Sequence, residues 1–113
     1  MLNQIWQGDA NAYLSRFMPL CTSPADVINL TGRQILAVRE LAEKLGRAMG
    51  KTPQLVGVEA ADALLGDTTR LCAEFGAPQI GIDQMVDWVA HWVMADGRSL
   101  GKPTKYESRS GKF

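Results

Sequence analysis

Few side chains in this sequence are of a type and spacing that could do chemistry. His91 is the only histidine. It follows Asp87 by four residues, which on a helix places imidazole and carboxylate side by side. An imidazole can move protons or bind a metal at neutral pH, but no His/Cys/Asp/Glu cluster with ligand spacing accompanies it. A surface Asp–His pair is therefore expected, and no metal site. No serine stands in a Gly-x-Ser-x-Gly turn. Phosphate-cradling loops of the Gly-x-Gly-x-x-Gly or Gly-x-x-x-x-Gly-Lys-Thr type are absent. Neither Tyr13 nor Tyr106 is followed four residues on by a lysine that would lower its pKa for proton transfer. Two acids remain. Glu59 and Asp62 stand just beyond the apolar run Leu55-Val56-Gly57-Val58, and ligands of open α/β sheets gather at the C-terminal ends of strands. Both are candidate substrate contacts, although acids at that place more often are solvated helix-start residues favouring the helix dipole. No catalytic residue and no cofactor-binding residue is expected.

Cys21 and Cys72 are far apart, each among apolar neighbours. Buried free thiols in a reducing compartment are expected, with a disulfide dependent on geometry.

The elements that must position these residues follow from pattern. A length of 113 residues, with 46% hydrophobic and 21% charged side chains, is that of one globular domain. Net charge is zero, so nothing global favours nucleic acid or an anionic membrane. From Arg98 to Phe113 five basic residues meet one acid, a local charge of +4 against −4 for the rest. Residues 1–97 are expected to form the folded body and 98–113 a basic extended tail. No basic start is followed by a continuous apolar run, and no stretch approaches the ~20 apolar residues of a membrane span. A cytoplasmic protein is expected.

Asp9 should cap a helix carrying Ala10, Tyr13, Leu14, Phe17 and Met18 at helical spacing, ended by Pro19. Val27 to Leu30 reads as a strand and Thr31-Gly32 as its turn. Val38, Leu41, Ala42, Leu45 and Met49 then recur with a period near 3.6, backed by a Glu40–Lys44 pair and closed by Gly50. Leu55 to Val58 reads as the next strand. Strand, helix and strand make a βαβ unit with short parallel strands and a right-handed crossover. Two parallel strands need further strands beside them. Glu59 to Leu65 should make a helical turn. A helix capped by Asp67 should follow and end at Gly76. A last helix, capped by Asp83, should bury Met85, Val86, Val89, Trp92 and Val93 and end at Asp96-Gly97. The expected class is α/β, α+β-like, with about four to five helices.

Val27-Ile-Asn-Leu-Thr-Gly32, Val38-Arg-Glu-Leu-Ala42, Leu45-Gly46 and Gly50-Lys51 together resemble the C-terminal part of extended short-chain dehydrogenases/reductases, the NAD-dependent epimerase/dehydratase family. Ile5-Trp-Gln-Gly-Asp-Ala-Asn-Ala12 looks like that family's strand-Asp-helix segment. Asp67-Thr-Thr-Arg70 through Phe75-Gly76 looks like a later helix, and Leu100-Gly-Lys-Pro-Thr104 with Tyr106-Glu107 and Gly111-Lys-Phe113 like the ending of one subgroup. The resemblance implies the substrate-binding part of a Rossmann epimerase fold. Its partner would be an N-terminal Rossmann half, which in that family supplies the Gly-x-x-Gly-x-x-Gly loop for NAD(P) and the Tyr-x-x-x-Lys pair. Neither motif occurs here, so the chain alone is expected to bind no cofactor and to be inert. The family's nucleotide-sugar enzymes carry an Arg-rich segment after the second strand. Gly57 to Gly66 has no Arg or Lys, which points to a smaller or less anionic, sugar-like substrate. Ala37 stands where the family usually has a Ser or Thr cap. The alternative expectation is a free-standing interaction module, in which a second copy covers an exposed apolar face.

Overall fold

A computed structural model describes residues 1–61 and 63–102 of the chain. It is a small mixed α/β domain with four α-helices and a two-stranded antiparallel sheet. In chain order these are β1 (Leu2–Asn3), α1 (Gln7–Phe17), a 3₁₀ turn (Met18–Leu20), β2 (Ile35–Leu36), α2 (Val38–Met49), α3 (Thr69–Phe75) and α4 (Ile82–Met94). Leu2 pairs with Leu36 and Asn3 with Ile35.

The helix expected behind Val38 forms with the boundaries its pattern implies. Ala37 is its N-cap and makes no side-chain cap hydrogen bond. Gly50 ends it at φ +66°, a left-handed conformation in which a Cβ is costly. The Gly50 amide donates to the Arg47 carbonyl and the Lys51 amide to the Gly46 carbonyl, at 3.2 and 2.8 Å. These are the two bonds of a Schellman closure, which satisfies carbonyls the helix end would otherwise leave free. Leu41 and Leu45 of α2 pack with Met85 of α4 against buried Leu36, Ile82 and Val86. Lys44 reaches across to Asp83 at 2.6 Å. Its partner is thus on the other helix rather than Glu40, and Asp83 is an ion-pair partner in the first turn of α4 rather than its cap, which is Gly81.

A second packing unit joins α1 to α3. Phe17 and Phe75 lie 5.1 Å apart between ring centroids, Tyr13 and Phe75 6.4 Å. Tyr13 donates its hydroxyl to the Gly76 carbonyl at 2.9 Å, and Arg16 donates to the Phe75 carbonyl at 3.1 Å. The open C-terminus of α3 is therefore closed by side chains of α1. Burial pushes the Tyr13 hydroxyl above its ordinary pKa, and the nearby Asp9 carboxylate adds to this.

The βαβ unit is not formed. Val27–Leu30 and Leu55–Val58 are both outside strands, and the two strands present are antiparallel and elsewhere. The reason is the lack of a neighbour. A strand is stabilised by cross-strand pairs and ladder bonds, and no described strand pairs with either run. Val56 and Val58 are 93% and 99% exposed. Residues 59–61 and 63–65 are not helical either: Leu64 forms an isolated parallel bridge to Leu2, its amide donating to the Met1 carbonyl at 3.1 Å.

Three local expectations also change. Asp9 lies inside α1, whose cap is Trp6; its carboxylate instead accepts from the Ile80 amide at 2.9 Å. Asp67 stands one residue before the cap of α3, which is Thr68, and accepts from the Thr69 amide at 2.9 Å and hydroxyl at 2.7 Å. Cys21 is exposed and Cys72 half-buried, and both are free thiols. On α4 the buried stripe is Ile82, Val86 and Ala90, while Val89, Trp92 and Val93 stay in solvent because α2 covers one side only. The tail expected at 98–113 lies outside the described residues from 103 onward. No described helix is long and apolar enough to cross a membrane.

Candidate functional site

An open cleft of about 340 Å³ lies where the end of β1, the turn before β2 and the start of α4 meet. Its polar lining is Gln4, Arg33 and Gln34; its floor is Ile80, Ile82 and Met85, with Pro78 beside them. Each wall has a visible support. Gln4 follows β1, and β1 is held from both sides by Asn3. The Asn3 amide nitrogen donates to the Gly32 and Gly66 carbonyls, both at 2.9 Å, and its oxygen accepts from the Gly66 amide at 3.1 Å. Thr31 donates its hydroxyl to the Asn3 carbonyl at 3.0 Å. One carboxamide thus stands in for ladder bonds among three short segments, and Thr31-Gly32 leads directly to Arg33 and Gln34. The opposite wall, residues 77–81, is fixed from α1 by the Asp9–Ile80 and Tyr13–Gly76 bonds.

A guanidinium and two carboxamides above an apolar floor can bind a single carboxylate or a hydroxyl-rich molecule through directed hydrogen bonds. Among the described residues, no acid lines the cleft. The arrangement contains no nucleophile paired with a base, so it offers contacts and not a reaction.

Of the two acids singled out from sequence, Glu59 does not line this cleft. Glu59 is exposed and bound to Arg39 at 2.6 Å, so it fastens the 55–61 segment to α2 as a surface ion pair. Asp62 lies outside the described residues. His91 is exposed on α4. No three His, Cys, Asp or Glu side chains gather among the described residues in a way that could hold a metal.

Arg33 and Gln34 carry no motif in the sequence; they reach the cleft because Thr31 and Gly32 just before them are bound to Asn3. Gln4 had no signal, because its place depends on the Asn3 clamp between residues 63 apart.

A second local charge arrangement is structural. Arg70 binds both oxygens of Asp26, donates to Glu74 at 2.7 Å and reaches the Val27 carbonyl at 3.2 Å. The Arg70 hydrogen bonds, with that from the Val27 amide, hold the Asp26 carboxyl down at about 2. This pins the start of the 27–30 run to α3.

Comparison with family models, with curated proteins and with solved structures yields no match to the chain.

Proposed function

We propose that this chain is the substrate-binding part of an NAD(P)-dependent epimerase, dehydratase or reductase of the extended short-chain dehydrogenase/reductase class, working with a separate Rossmann half that holds the cofactor and the catalytic tyrosine. The observation that carries the reading is the pair of strand-type runs, Val27–Leu30 and Leu55–Val58, which form no strand and leave Val27, Val56 and Val58 77%, 93% and 99% exposed. β-Branched side chains in solvent and backbone without a ladder are what a piece of a larger sheet leaves behind when its neighbours are removed. The order of the family-like segments along the chain supports the same reading.

The cleft then serves as this half's share of the pocket, with Arg33, Gln34 and Gln4 as the substrate contacts in place of Glu59. One guanidinium in the cleft and none in Gly57–Gly66 favours a small, singly charged or sugar-like molecule over one bearing a diphosphate, which is normally gripped by several. No step of the reaction is assigned to this chain.

NADH fluorescence titration tests the reading. The chain alone should leave NADH emission unchanged up to about 1 mM protein, whereas binding in the micromolar range, a free energy of about −8 kcal/mol, would defeat it. The reading frame upstream of Met1 should encode a Gly-x-x-Gly-x-x-Gly strand–turn–helix.

A further inference from the structure

The outer face of α4 is independent of both unpaired runs and shares only Met85 with the cleft. α4 has an apolar arc wider than α2 covers. Ile82, Val86 and Ala90 face inward and are buried. Met85, Trp88, Val89 and Trp92 recur at i, i+3, i+4 and i+7, the spacing of a second helix-packing seam. All three tryptophans of the chain belong to this surface: Trp6, Trp88 and Trp92 are 38%, 42% and 57% exposed.

We propose that this face is a two-fold contact with a second copy of the chain, α4 laid antiparallel on α4, with Trp88, Val89 and Trp92 at its centre and Trp6 at its edge.

Charge is the first argument for a copy of itself as occupant. A two-fold axis sets each central residue against itself or its near neighbours, so any charge there would face its like. The seam has none. The acids of α4 lie on the far side, and Asp83 is already bound to Lys44. Gln84 and His91 border the seam on one edge, and the antiparallel arrangement brings Gln84 of one chain beside His91 of the other, a polar rim able to hydrogen-bond.

Preorganisation is the second. Trp6 and Trp88 already meet edge to face, 5.2 Å between centroids. Trp92 lies so close over Gly97 that a Cβ there would come 2.3 Å from its ring, and its Nε1 donates to the Arg98 carbonyl at 3.2 Å. Indoles fixed in advance lose little freedom on contact and are the side chains that most often dominate interfaces.

Area sets the strength. Taking a fully buried indole at about 250 Å², the exposed parts of the three amount to roughly 350 Å² per copy. With Val89, Val93 and the rim the contact reaches on the order of 1,000 Å² over both copies, the lower bound for a specific interface. The dimer should therefore be weak and concentration-dependent.

Sedimentation equilibrium of the full chain from about 5 to 500 µM, a range suited to weak contacts, tests the proposal. The apparent mass should rise from 12.3 kDa toward twice that value, with tryptophan emission moving to shorter wavelength. Val89→Lys and Val89→Glu chains should each stay monomeric, and their equimolar mixture should associate again, because only a two-fold contact sets position 89 against itself. Val56→Lys should associate as the unaltered chain does. Circular dichroism checks each fold; if the Val89 variants unfold, Trp92→Ser, outside the buried core, carries the same test and should reduce association at least tenfold. A chain monomeric throughout, a mixture that stays apart, or dissociation caused by Val56→Lys would overturn it. None of these results depends on NADH or on a Rossmann half, so the proposal and the functional reading fail separately.

Discussion

The helix pair α2–α4 and the two runs at 27–30 and 55–58 contain the same kinds of apolar residue and meet opposite fates. In the pair, Leu36 is 2% exposed beneath Ile82 and Val86. In the runs, valines of comparable size stand almost wholly in water. A helix satisfies its backbone from within and needs only one partner face. A strand needs a neighbour for its backbone as well. Among the described residues the first kind of element is completed and the second is not, and the proposed function rests on this difference.

Substitutions sharpen that contrast in a definite order. Leu36→Ala removes side-chain volume from the α2–α4 core and should cost about 2–5 kcal/mol, measured by denaturant unfolding. Asn3→Ala leaves the part-buried Gly66 amide and two carbonyls without their partner and should cost about 1–3 kcal/mol, with the cleft side of β1 losing hydrogen-exchange protection. Gly50→Ala has free space around it, so only the left-handed backbone resists the change, at about 1–2 kcal/mol. Acid gives a smaller effect. The folded-state pKa of Asp26 is depressed to about 2, so its contribution to stability is complete above about pH 4 and lost as pH falls toward that value. The melting temperatures of the unaltered chain and of Asp26→Asn should therefore converge between about pH 4 and 2. Val58→Ser should change stability by less than about 0.5 kcal/mol, since nothing packs on that side chain.

These contrasts show what could be read from the sequence. α2 was legible to the residue because its period, its uncapped Ala37 and its closing Gly50 are local properties. The stops at Gly76 and Asp96-Gly97 were legible for the same reason. The strands were not. Ile35–Leu36 is too short to show alternation, and it is a strand only because Leu2–Asn3, over thirty residues away, lies beside it. Val27–Leu30 has the composition of a strand and lacks the neighbour. Asp9 and Asp83 carry the residue type of a cap and were recruited by Ile80 and Lys44, contacts with no signature in spacing. The cleft residues Arg33 and Gln34 are placed by the bonds of Asn3 to Thr31 and Gly32, which spacing does not show, and the exposure of Trp88 and Trp92 depends on how much of α4 a single neighbour can cover.

Backbone hydrogen exchange in the chain alone tests the central claim most directly, at a concentration too low for self-association. Amides of α2 and α4 facing Leu36, Ile82 and Val86 should be protected to the level of global unfolding. Those of Ile28–Leu30 and Leu55–Val58 should exchange at the rate of an unstructured peptide. Protection of the 55–58 amides equal to that of α4 would mean that the run already has its partner within this chain, contradicting the account of an unfinished sheet.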